Sequence, residues 1–155
     1  MKYLLFFSFL FVLASCGEKA ATPTAYNLEA FELTDIPGSD LKRAVFKNEK
    51  GKVMESGTIR NGKRHGTWVI YHQEREMPKS VASYVDGVLN GPYLEFTPYG
   101  YTELSCNYSN DLLDGHFVKF KNNRKLEEGY YLKGKLDGIY KKYYDGVEAV
   151  QQELT

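Results

Sequence analysis

Between residues 52 and 144 apolar and polar positions alternate in short runs, and paired turn residues cut the runs at regular distances. Small residues Gly57, Ala82, Cys106 and Gly129 stand five places before Gly62, Gly87, Asp111 and Gly134, and bulky Ile59, Tyr84, Tyr108 and Tyr131 stand three before. Small and bulky positions two apart share one face of a strand. The runs end on Asn61-Gly62, Asp86-Gly87, Asn110-Asp111 and Lys133-Gly134. Two of these are Asn-Gly or Asp-Gly, the strongest short hairpin signal, because a tight turn needs positive φ at both central residues. Asp111 replaces glycine in the third turn, where it accepts that conformation at some cost.

A second strand follows each closing glycine, Gly66, Gly91, Gly115 and Gly138. Its second residue is Trp68, Tyr93, Phe117 or Tyr140 and its fifth is Tyr71, Phe96, Phe120 or Tyr143, which predicts two aromatic columns on opposite faces. The fourth position holds Ile70, Glu95, Lys119 and Lys142, so the face carrying Trp68 is expected to be the wetter one. Helices are excluded because glycines interrupt every run of apolar residues at helical spacing.

The closing glycines are 25, 24 and 23 residues apart, which marks a tandem unit whose loops absorb small length changes. Connections between copies carry turn residues: Met77-Pro78, Pro98-Tyr99-Gly100, Asn122-Asn123 and Asp145-Gly146. Upstream, Phe46 precedes Gly57 by the 11 residues that separate Tyr71 from Ala82, as in the end of a degenerate earlier copy. Terminal units of a stack must cap it and are expected to be atypical. The expected fold is all-β: an elongated, curved, single antiparallel sheet of stacked hairpins over 44–150, with eight to ten strands. Residues 151–155 are expected to be a C-terminal tail, and Ile139 to Tyr144 the outermost strand, its edge blunted by Lys141 and Lys142.

Gly62-Lys63-Arg64-His65-Gly66-Thr67-Trp68, echoed at 87–93, 111–117 and 134–140, resembles the MORN repeat, and in its shorter bacterial form the antitoxin-like variant of secreted and lipid-anchored proteins. The chain departs from that pattern at Asp111 and at the apolar Val88-Leu89, Leu112-Leu113 and Leu136. The resemblance implies a scaffold of stacked hairpins used for interaction, and more loosely a part in toxin neutralisation.

Lys2, the apolar run Tyr3 to Leu13, and Leu13-Ala14-Ser15-Cys16 resemble a bacterial lipoprotein signal peptide over 1–15. The resemblance implies lipidation of Cys16, and several acyl chains at about 0.8 kcal/mol per buried methylene give stable anchoring without a membrane span. Gly17 stands where aspartate favours retention in the inner membrane of Gram-negative cells. The expected location is therefore the cell envelope, at the outer membrane where one exists, on its periplasmic or surface side. Residues 16–43 read as lipidated tether and N-terminal cap, Gly17 to Ala25 being small and polar.

Composition narrows the function. Twenty basic and 20 acidic residues leave no net field to recommend a nucleic acid. Removing the signal takes one of 13 tyrosines, so amphipathic rings are concentrated in the mature chain. With Cys16 blocked by lipid, Cys106 has no intramolecular partner and reads as a small buried strand residue. His65, His72 and His116 lack metal-site spacing and read as turn or surface residues. No phosphate loop, nucleophile elbow or metalloprotease helix is present, so no catalytic, cofactor or metal site is expected.

Trp68, Tyr93, Phe117 and Tyr140 have two readings: rings packed along the sheet, or an exposed ladder that binds a protein or a glycan. The functional expectation is a lipid-anchored, non-catalytic scaffold binding another envelope protein. The alternatives are a glycan- or cell-wall-binding module and an immunity or antitoxin-like protein. Oligomeric state is left open by these residues.

Overall fold

The computed structural model describes residues 28–145 and 149–154; Cys16, the signal-like segment and the tether lie outside the described residues. A 3₁₀ turn at Leu28–Ala30 leads into β1 (Glu32–Asp35), β2 (Leu41–Lys47), β3 (Val53–Arg60), β4 (Lys63–Tyr71), β5 (Pro78–Val85) and β6 (Val88–Phe96). These are followed by β7 (Thr102–Ser109), β8 (Leu112–Leu113), β9 (Gly115–Lys121), β10 (Arg124–Leu132), β11 (Lys135–Leu136), β12 (Tyr140–Tyr143) and β13 (Val150–Leu154). All join one open, elongated and curved antiparallel sheet in chain order, as hairpin stacking requires. Among the described residues no helix is long and apolar enough to cross a membrane.

The turns behave as their composition dictates. Asn61 and Gly62 have φ of 48° and 75°, Asp86 and Gly87 49° and 91°, Asn110 and Asp111 50° and 62°, and Lys133 and Gly134 50° and 78°. Both central residues are left-handed in every copy, the conformation whose twist matches that of the flanking strands.

The closing glycines serve a bulge. Between Ser56↔Val69 and Thr58↔His65 the first strand advances two residues and the second advances four, and the same excess of two recurs in the second copy. In the third and fourth copies it separates β8 from β9 and β11 from β12. Two extra residues preserve the alternation of side chains, so a row keeps its face on both sides of the bulge.

Strand number exceeds the expectation: 13 segments lie in the sheet, 11 of them along its main path. β1 adds a strand from the segment without repeat pattern, and β13 adds one in the stretch read as a tail. β12 is consequently not the edge, because β13 pairs outside it through Tyr140↔Leu154, Lys141↔Glu153 and Lys142↔Gln152. Lys141 and Lys142 therefore sit within the sheet and meet Glu153 at 3.6 Å and Glu127 at 3.9 Å.

The main core cluster lies on one face, while Val118, also buried, lies on the other. Ala44, Ile59, Trp68, Ala82, Tyr84, Leu89, Cys106 and Tyr108 form a buried cluster, with Phe31, Tyr93 and Phe117 packed against it. No second layer covers the sheet among the described residues, so this face is dry only where its own rings, and Phe31 beside the 3₁₀ turn, lie over it.

Candidate functional site

Three rows cross the core-bearing face. The central row alternates small residue and ring: Ala44 opposes Gly57, Trp68 opposes Ala82, Ala82 opposes Tyr93, Tyr93 opposes Cys106, and Phe117 opposes Gly129. The small-residue column and the column of Trp68, Tyr93 and Phe117 are thus successive members of one row. The small residues are required by the rings: a Cβ on Gly57 would overlap the Trp68 indole, and one on Gly129 would fall 2.8 Å from Tyr140 Cδ2.

On the turn side runs a second row, with Ile59 opposing Arg64, Tyr84 opposing Leu89, Tyr108 opposing Leu113 and Tyr131 opposing Leu136. Of the apolar loop residues that depart from the MORN-like pattern, Leu89, Leu113 and Leu136 are members of this row, and Leu89 is buried in the core. Arg64 takes the leucine position in the first copy. Its guanidinium lies 4.5 Å from the Trp68 ring centre and 5.0 Å from that of Tyr84, pairs with Glu55, and donates to Tyr84 Oη at 3.0 Å.

The turns are hooked together. The amide of Gly87 donates to the Arg64 carbonyl at 2.7 Å, that of Asp111 to Leu89 at 3.0 Å, and that of Gly134 to Leu113 at 2.7 Å. In the third turn the Leu89 amide also donates to Asp111 Oδ1 at 2.8 Å, so the aspartate gains a bond that offsets its left-handed backbone.

The third row, at the opposite end, contains the fourth-position residues: Ile70–Ser80–Glu95–Leu104–Lys119–Glu127–Lys142. Tyr93 Oη donates to Glu95 at 2.6 Å and Tyr140 Oη to Glu127 at 2.8 Å. Burial, reinforced by these carboxylates, raises the Tyr93 and Tyr140 hydroxyls well above the ordinary phenol range. Burial also pushes the Cys106 thiol up to about 12, which keeps it protonated and unreactive at neutral pH.

This geometry corrects two expectations. Trp68 is 2 % exposed and its face carries the core, so it is not the wetter face. Of its polar fourth positions, Glu95 accepts from Tyr93 and Lys142 lies 3.9 Å from Glu127; with exposed Lys119 they stand at one end of the face, away from its centre. The exposed ladder of Trp68, Tyr93, Phe117 and Tyr140 is likewise not found: Trp68 is buried and the other three are half-buried. The reading as packed rings describes the row.

The histidines are dispersed. His65 Nδ1 lies 3.2 Å from Asp86 Oδ1, His72 Nε2 donates to the Phe96 carbonyl at 2.8 Å, and His116 is exposed on the opposite face. No group of three potential metal ligands occurs among the described residues.

What the ladder reading missed lies on the other face of the last copy. Tyr130, Leu132 and Ile139 are 48 %, 48 % and 51 % exposed, and Tyr130 and Ile139 line a shallow cavity of about 250 Å³ with His116, Glu128 and Lys141. Glu128 receives bonds from Lys125 Nζ and Tyr143 Oη, and these, with the charge of Lys125, hold its carboxyl below the usual range. The sequence signal was present. Tyr130 stands in the column of Thr58, Ser83 and Asn107, and Ile139 in that of Thr67, Pro92 and His116, so outer positions that are mostly polar elsewhere become large and apolar here.

A larger depression of about 470 Å³ opens at the loop end of the first copies, lined in part by Phe46, Met54, Ile70, His72 and Pro98. Comparison with family models, with curated proteins and with solved structures finds no match to the chain.

Proposed function

We propose that the chain is a lipid-anchored, non-catalytic repeat scaffold of the cell envelope that docks another envelope protein on the outer face of its last copy. The observation that carries this reading is the change in column chemistry at Tyr130 and Ile139, with Leu132 exposed beside Tyr130 on the same face of β10. Three large apolar side chains about half exposed, bordered by His116, Glu128 and Lys141, are the composition of a protein-docking patch with a polar rim. The anchor comes from the lipoprotein-like segment ending at Cys16. A glycan-binding ladder loses its motive once Trp68 is buried under Phe31.

A photo-crosslinking residue at Tyr130 or Ile139, in cells, should yield one discrete adduct with a different protein, whereas the same residue at exposed Thr67 should yield none. Absence of any specific adduct from both patch positions would refute the docking patch. Cys16→Ser should release the protein from membranes; unchanged membrane fractionation would refute the anchor.

A further inference from the structure

The connections at 48–52 and 97–101 are one loop built twice. In each, the amide of the first residue donates to the carbonyl of the fifth, at 2.9 and 2.8 Å, and the amide of the fourth donates back to the first carbonyl, at 2.8 and 2.9 Å. In each, the first side chain accepts from the third and fifth amides. Asn48 Oδ1 accepts from Lys50 and Lys52 at 3.0 Å, and Thr97 Oγ1 from Tyr99 and Tyr101 at 3.3 and 3.1 Å. The fourth residue is left-handed glycine in both, Gly51 at φ 75° and Gly100 at φ 85°. The same bonds therefore satisfy the backbone whether lysines or tyrosines hold the third and fifth places, and folding of the loop does not require the rings.

Those rings are nevertheless the most exposed of the molecule among the described residues. Tyr99 is 69 % exposed and Tyr101 56 %, and Arg75 of the neighbouring loop stacks 4.4 Å from the Tyr99 ring centre. The other ring at least half exposed, Tyr144, stands at the same end of the strands, and none stands at the turns. Charges beside the rings nearly cancel: Lys50, Lys52, Arg75 and Lys79 against Glu49, Glu74 and Glu76. The described chain also enters the fold at this end. Leu28–Ala30 lead into β1, whose Glu32 opposes Val45, and Phe31 lies 5.6 Å from Phe46, beside the 48–52 loop. Only 12 residues, 16–27, separate Leu28 from Cys16, a span of at most about 40 Å. The turns lie a further strand length away, up to about 30 Å for a strand of nine residues.

We infer that the loop end of the sheet rests on the phospholipid bilayer that holds the lipid of Cys16, with Tyr99 and Tyr101 in its headgroup layer; this rests on the anchored reading above. A tyrosine ring takes apolar surroundings while its hydroxyl stays wet, which suits it to that boundary. Because the neighbouring charges cancel, the contact draws on the rings and not on a net field. The sheet stands on its loops, and the outer face carrying Tyr130 stays open to a protein partner.

The test uses the protein as isolated from its membrane, reconstituted in phosphatidylcholine vesicles, with an environment-sensitive dye on Tyr99→Cys. Dye at residue 99 should emit at shorter wavelength and be quenched by spin-labelled lipid, whereas dye on Leu112→Cys, at the turns, should behave as in water. Cys106 is buried, so the unsubstituted chain supplies the blank. Both signals should persist in raised salt, which screens charge contacts but not ring burial. Adding Tyr101→Lys copies Lys52 of the twin loop, keeps the loop bonds, and should roughly halve the quenching at residue 99 because one amphipathic ring is lost.

A water-like dye at residue 99 would overturn the inference. So would equal signals at residues 99 and 112, or a signal that needs added phosphatidylglycerol and vanishes in salt. Intact mass reads the anchor separately. An acylated chain with residue 99 in water would keep the anchor and remove the bilayer contact, and an unacylated chain whose residue 99 still reports lipid would do the reverse.

Discussion

The first and last copies place an aromatic ring on a glycine in the same way, yet one ring is dry and the other is not. Trp68 lies on Gly57 beneath Phe31, whose ring centre is 5.9 Å away, and its Nε1 donates to the Thr58 carbonyl at 2.8 Å. Tyr140 lies on Gly129 with no residue in the role of Phe31 among the described residues; it is half-buried and keeps a hydroxyl bonded to Glu127. Arg64 and Glu55 form a buried ion pair beside the first ring, whereas Leu136 and Glu127 occupy the matching positions beside the last. Position in the repeat fixes which atoms touch. What lies over the row fixes whether water reaches them.

Removing the rings gives the widest separation between the two copies. Trp68→Ala should cost about 4 kcal/mol, in the range for a buried tryptophan, and Tyr140→Ala about half of that because its ring is only half-buried. Urea denaturation measures both; equal losses would mean that the cover over the first ring contributes nothing.

Next in size is the buried pair. Arg64→Leu installs the residue of the other copies but takes the guanidinium away from the buried Glu55 carboxylate, and should destabilise by about 3 kcal/mol. Adding Glu55→Leu should recover most of that loss, since an apolar pair of similar volume is often as stable as a buried ion pair. A double variant no better than the single one would show that Arg64 acts mainly through its stacking on Trp68 and Tyr84.

A smaller contrast comes from the floor of the row. Gly57→Ala should cost about 2 kcal/mol because the indole is confined, and Gly129→Ala about 1 kcal/mol because only one Tyr140 ring atom comes close.

The smallest effect is on pH dependence. Tyr93, Tyr108 and Tyr140 have hydroxyls raised chiefly by burial. A group raised on folding stabilises fully below its unfolded pKa, about 10 for tyrosine, and that contribution fades as pH rises beyond it. The melting temperature should therefore fall above about pH 10. Tyr93→Phe and Tyr140→Phe should each soften the fall. An unchanged profile in the double variant would show that other groups control it.

Much of this molecule could be read from residue order. Turn dipeptides located the hairpins, and the small and bulky columns placed Gly57, Ala82, Tyr84, Cys106 and Tyr108 together on one face. The polar residues Glu95, Lys119 and Lys142 do not mark the wetter face, because Glu95 is held by Tyr93, Lys142 lies near Glu127, and only Lys119 is freely exposed. Phe31 could not be anticipated, since it belongs to no copy and reaches Trp68 only through the pairing of β1 with β2. The Tyr130 and Ile139 patch is legible as a break in two outer columns whose other members are mostly polar.

The hooks between successive turns bear on how such a chain changes length. Because each joint uses main-chain amide and carbonyl groups at matching places, excising one whole internal unit would bring together a donor and an acceptor already shaped for each other. Growth or shrinkage by complete units then requires no newly invented junction, and the irregular spacing of 25, 24 and 23 residues is left to the loops at the far end of the strands.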